Sequence, residues 1–186
     1  MKLESLRDVL NESVRDLYSA ETQLVRALPK MAKAATNPDL KAAFTEHLAE
    51  TKTQVERLEQ ACELLGVKPK GKTCNAMKGL VEEGVEVIEA KGDPSAKDAA
   101  LIGAAQKVEH YEIAGYGTCR TFASILGEDD VAALLQATLD EEGAADEKLT
   151  GIAEAGLNQD AAEDEEGDEE ESDEVEEVKL ARGKKK

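Results

Sequence analysis

Apolar residues recur every three or four positions along most of the chain. Leu6, Leu10, Val14, Leu17, Leu24 and Leu28 form one such stripe and predict a long first helix from Leu3 to about Lys33. Thr36-Asn37-Pro38-Asp39 supplies a break and a cap. A second stripe of Leu40, Ala43, Phe44, Leu48, Val55, Leu58, Cys62 and Leu65 then runs to Gly66. The short connection makes the two helices antiparallel neighbours.

A Lys/Gly/Pro-rich stretch follows, with a short amphipathic segment at 76–90 carrying Leu80, Val81, Val85 and Ile88. It reads as a long crossover that contains its own short helix. The third long helix is expected over 95–126, with Leu101, Ile102, Ala105, Val108, Ile113 and Tyr116 inward. Gly127-Glu128-Asp129-Asp130 turns the chain into a fourth, where Val131, Leu134, Leu135, Thr138, Leu139 and Leu149 repeat to about Ala155. Two tight helical hairpins joined by one long crossover define an all-α fold, a ferritin-like four-helix bundle.

Composition agrees with helices: aromatic residues are 3% of the chain and Trp is absent, which suits close-packed helices better than sheets. The domain is expected to span 1–157. From Asp160 to Glu177, 13 of 18 residues are acidic, and Lys179, Arg182 and Lys184 to Lys186 follow. Such a segment buries too little apolar surface to offset chain entropy, so 158–186 reads as a disordered acidic tail with a basic end, suited to a basic partner.

The formal net charge of −18 argues against nucleic acid and anionic membranes as partners. Cys62, Cys74 and Cys119 form neither a disulfide framework nor a zinc knuckle. With no signal-like N-terminus and no membrane-length apolar run, a cytoplasmic location is expected.

The stripes contain acids where apolar residues belong. Glu21 stands among Leu17, Leu24 and Leu28, and Glu50, Glu109 and Glu142 take core-facing addresses on the other three helices. An acid at such an address costs several kcal/mol unless paired, protonated or metal-bound, so four at one level call for a shared partner. Glu21 and Glu50 are 29 residues apart and Glu109 and Glu142 are 33 apart, which places each pair at matching heights across its hairpin. His47 lies three before Glu50, Glu112 three after Glu109, and Asp146 four after Glu142, each on its partner's face. Oxygen-rich ligands with a little imidazole suit iron or manganese. The expectation is two iron ions, with manganese as the alternative, held by Glu21, His47, Glu50, Glu109, Glu112, Glu142 and Asp146. Glu50 and Glu142 would bridge, Glu21 and Glu109 would terminate each ion, and the other three would complete the shell.

The stretches Asp16 to Glu21, Ala43 to Thr51, Val108 to Gly117 and Leu139 to Glu142 together resemble the YciE/YciF-type, ferritin-like stress proteins of bacteria, over about residues 1–157. The resemblance implies a di-iron site, a homodimer and a role in stress response. The wider superfamily carries Glu-x-x-His on one helix of each pair. Here Thr53 and Ala145 stand where those histidines would be, with His47 and Asp146 as the nearest substitutes. The functional expectation is a di-metal protein that oxidises iron with oxygen or peroxide; no catalytic residue is assigned. Two alternatives stand beside it: a non-catalytic helical stress or interaction bundle, and a di-manganese catalase-like or oxygenase activity.

Overall fold

A computed structural model describes residues 3–163. Its elements are α1 (Leu6–Ala34), α2 (Pro38–Leu64), α3 (Asn75–Glu89), α4 (Pro94–Ile125) and α5 (Asp129–Ile152), followed by a π-helical turn at Ala153–Leu157. No strand occurs among the described residues. None of the helices is long and apolar enough to cross a membrane.

Local chemistry sets the ends. Ser5, Asn37 and Asp93 each cap a helix by accepting from backbone N–H groups of the first turn, and Pro38 and Pro94 begin α2 and α4, where a missing N–H costs nothing. Gly127 takes φ +73 just past α4, a left-handed turn residue that lets α5 fold straight back. The helices pair as α1 with α2 and α4 with α5, and the crossover lays α3 against α1 and α4. Helical residues continue to 163 rather than ending at the expected boundary of 157. The expected tail from 164 onward lies outside the described residues.

Three contacts fasten the start of the crossover. Cys74 N–H donates to Ser19 Oγ at 2.9 Å, Cys74 Sγ lies 2.9 Å from Tyr111 Oη, and Tyr111 Oη donates to Asp16 Oδ2 at 2.6 Å.

The apolar interior is divided. One cluster gathers Leu24, Leu28, Met31, Leu40, Phe44, Leu101, Ile102, Val108 and Leu149; the other gathers Leu10, Val14, Leu17, Leu58, Tyr116, Cys119, Val131 and Leu135. On each long helix the switch from one cluster to the other falls beside a buried polar residue: Glu21, Thr51, Glu112 and Glu142 respectively. A polar layer therefore cuts across the bundle at mid-height.

Candidate metal centre

The layer is built from the buried stripes themselves. Glu21, Glu112 and Glu142 are completely buried, Glu109 is 3% exposed and His47 7%. His47, Glu109, Glu112 and Glu142 each offer a ligand atom, all within 4.8 Å of one another, so the cluster could hold a metal ion. His47 Nε2 faces Glu109 Oε1 at 3.6 Å and Glu142 Oε2 at 3.7 Å. Glu21 joins from α1, where its Oε1 accepts from Tyr116 Oη at 2.5 Å.

Burial shapes the electrostatics. Desolvation, aided by the Glu142 charge, pushes Glu21 up to about 8, and desolvation raises Glu109 to about 7. Burial likewise holds Glu112 and Glu142 well above the usual carboxylate range, reinforced by neighbouring carboxylates. For His47, burial pulls the pKa down, but Glu50, Glu142 and Glu21 outweigh it and the imidazole sits above its ordinary value. The charge of Glu21 adds to the rise of Glu112, and that of Glu109 to the rise of Glu142.

Fully ionised, they are strikingly short of donors. Both oxygens of Glu112 and of Glu142, Oε2 of Glu21, Oε2 of Glu109 and Nε2 of His47 lack a hydrogen-bond partner. Buried polar atoms are normally satisfied, and a run of orphaned acceptors aimed at one point is what a cation site requires.

Two expected ligands lie elsewhere. The sequence reading set Glu50 on a core-facing address, but its side chain is 50% exposed. The buried line of α2 runs through Ala43, His47, Thr51, Gln54 and Leu58, and position 50 falls at its edge. Glu50 instead meets His47 Nδ1 at 3.4 Å, which favours the tautomer whose Nε2 faces the acids. Asp146 is half-buried, accepts from Gln106 Nε2 at 3.2 Å and lies 3.5 Å from His110 Nε2, outside the four-residue set. Its charge reaches Glu109 and helps raise it.

Other buried polar residues escaped the sequence reading. Asp98, 1% exposed, accepts from Thr36 N–H at 3.0 Å, Thr36 Oγ1 at 2.6 Å and Asn37 N–H at 2.6 Å. It ties α4 to the α1–α2 turn and needs no ion. Nothing in the periodicity marks it, since its partners are 62 and 61 residues away. The three cysteines are free and buried, and burial pushes Cys62 up to about 11 and Cys119 to about 12, so neither is an activated thiolate.

Residues 5–162 match the model of a family described as a domain of unknown function, DUF892. The chain belongs to this family. It is 49% identical over 162 residues to protein YciF of Escherichia coli, covering 87% of this chain and 98% of that protein. The crystal structure of YciF, described as an E. coli stress protein, superposes with a TM-score of 0.81 at 50% identity and covers 84% of this chain and 99% of that one. A solved Rhodopseudomonas palustris protein, 46% identical, gives a TM-score of 0.77 over 80% of this chain and 95% of its own. These likenesses span the bundle and its crossover, and so agree with the ferritin-like connectivity described above.

Proposed function

We propose that the polar layer holds two divalent metal ions, iron first and manganese as the alternative, and that the protein binds iron and consumes oxygen or peroxide with it under stress. The observation that carries this reading is the set of orphaned, inward-facing oxygens on Glu21, Glu109, Glu112 and Glu142 beside the free Nε2 of His47. Four buried carboxylates carry four negative charges, which two divalent cations neutralise and one does not. An oxygen-rich donor set with a single imidazole suits iron or manganese better than zinc.

His47, Glu109, Glu112 and Glu142 would form one ligand set, and Glu21, near enough to Glu112 for its charge to raise it, would extend it to a second ion. A bound pair of iron ions would supply the redox equivalents for reaction with oxygen or peroxide. The chain's own part is to exclude water above and below the layer with its two apolar clusters, and to hold His47 in one tautomer through Glu50. The stress role rests on similarity to YciF.

Anaerobic titration with Fe(II), read as equivalents bound, tests the proposal. We expect about two per chain, falling below one when Glu112 and Glu142 are both changed to Gln. One equivalent or less in the parent protein would refute it. A second reading, a non-catalytic helical scaffold, is favoured by the raised carboxyls, since protonation gives the acids a neutral resting state without metal. That scaffold would melt at the same temperature with EDTA as with Fe(II).

The homodimer implied by the family resemblance belongs to the same proposal. Leu3, Leu64 and Ile125 are large and exposed, and they stand where α1 begins and α2 and α4 finish, which supports a contact at that end. Light scattering in solution checks it.

A further inference from the structure

A cavity of about 150 Å³ opens between α2 and α5 and reaches the polar layer from the surface. His47 and Glu109 line its inner end, and each presents an atom without a partner, Nε2 and Oε2. Ala43, Ala144 and Ala145 line the cavity, and their small side chains leave the space between the helices unfilled. Ala145, three residues after Glu142 where the superfamily pattern has histidine, is one of these small lining residues.

The outer end is charged. Glu46, Glu50, Glu141 and Lys148 line it. Glu141 is held by both guanidinium nitrogens of Arg57, at 2.5 and 2.7 Å, and Lys148 is paired with Glu46 across the gap between α5 and α2. Glu50, half exposed and touching His47, is the carboxylate that spans the distance between solvent and the buried ligands.

We propose that this cleft is the uptake route for divalent cations, with Glu50 as the transfer carboxylate that hands an arriving ion to Glu109 and His47. The inference rests on the metal-binding reading and adds a path to it. Of the three acids at the mouth, Glu141 is paired with Arg57 and Glu46 with Lys148, so Glu50 is the carboxylate left to draw in a cation and turn away an anion. At the inner end, His47 Nε2 and Glu109 Oε2 are in no hydrogen bond that an arriving ion would have to break. Lys148 opposes transit by placing its ammonium at the mouth.

The experiment is stopped-flow uptake of Co(II) alone by the metal-free full chain, followed by visible absorbance, with equivalents bound measured at equilibrium. Glu50→Gln retains an acceptor for His47 Nδ1–H and removes the charge; we expect uptake roughly five-fold slower or more. Ala145→Phe fills the passage and should slow it by about ten-fold, with bound equivalents as in the parent. Lys148→Ala should accelerate uptake by roughly three-fold, a change of opposite sign that general loosening of the fold would not pair with slowing by Glu50→Gln. If Ala145→Phe does not fold, the exposed pair Glu50→Gln and Lys148→Ala decides the matter. Parent-like rates in both, with full Co(II) occupancy, would overturn the uptake route and leave the metal centre standing. No Co(II) bound by the parent would overturn the metal centre and the route together.

Discussion

Tyr116 donates its hydroxyl to Glu21 across the α1–α4 interface at 2.5 Å, and both side chains are completely buried. The contact is close because Gly115 precedes Tyr116: a Cβ at that glycine would stand 2.8 Å from Leu17 Cδ2, one turn before Glu21. A glycine that lets two helices approach, a tyrosine that reaches between them and an acid with no other donor thus act together. The pair holds one corner of the polar layer whether or not a cation is present.

Removing that hydroxyl tests how much the corner carries. Tyr116→Phe keeps the ring in its apolar cluster and leaves Glu21 Oε1 without a donor. A buried acceptor stripped of its partner costs about 1–3 kcal/mol, so urea denaturation of the metal-free protein should show a loss of that size. Because the bond lowers the Glu21 pKa, the same change should push Glu21 further above 8, visible by carboxyl NMR or infrared titration. An unchanged midpoint would mean that the Tyr116 hydroxyl contributes nothing to holding Glu21.

The raised acids fix the direction of the pH dependence. Glu21 at about 8 and Glu109 at about 7 bind protons more tightly folded than unfolded, where the ordinary value is 4.5. The folded state then holds more protons between those limits, so the contribution of these two groups to stability is full below pH 4.5 and is lost as pH rises through 7 to 8. Metal-free protein should melt at a higher temperature at pH 6 than at pH 8.5. Metal binding displaces those protons, so affinity for Mn(II) should rise over the same interval, as isothermal titration in buffers of different ionisation enthalpy would detect. A metal-free melt that rises from pH 6 to 8.5 would contradict the buried, protonated layer.

The sequence pattern revealed the layer because an acid among leucines breaks a periodic stripe, as Glu21 does between Leu17 and Leu24. His47 and Glu112 followed from three-residue spacing on their helices. Spacing gives a direction only to within a fraction of a turn, which is why Glu50 fell at the edge of the buried line and Asp146 beside it, bonded to Gln106. Helix limits were readable because Asn37-Pro38 and Asp93-Pro94 are local signals. Asp98 was not, since its role is defined by Thr36 and Asn37 on the other hairpin, and no local pattern announces a tertiary cap.

Asp98 provides a control for what a buried acid does when its acceptors are filled. Asp98→Ala would orphan the N–H groups of Thr36 and Asn37 at the start of α2 and remove a charge-assisted bond to the Thr36 hydroxyl. Bonds to charged groups contribute roughly 1.5–3 kcal/mol each and overlap when they share one acceptor, so a loss of about 3 kcal/mol is expected by urea denaturation. Fe(II) stoichiometry should remain that of the parent where the variant is folded. Loss of metal with no loss of stability would place Asp98 in the polar layer instead.

Glu112→Gln separates the two roles of the layer, because stability with and without metal should move in opposite directions. Glu112 is completely buried, neither oxygen has a donor when ionised, and burial holds its pKa high. Glutamine keeps the shape, carries no charge to desolvate and can donate to Glu21, so the metal-free variant should melt a few degrees higher than the parent at pH 8, where a gain of ~1 kcal/mol is ~2–4 °C for a domain of this size. With metal present the order should reverse. A ligand at a hundred times its dissociation constant stabilises the parent by about 2.7 kcal/mol, and the variant, one carboxylate short, should gain less at the same concentration. Paired melts in EDTA and in Mn(II) read both effects. A variant that stays above the parent in Mn(II) as well would show that Glu112 contributes nothing to holding a cation, and the ligand set would have to close on His47, Glu109 and Glu142 without it.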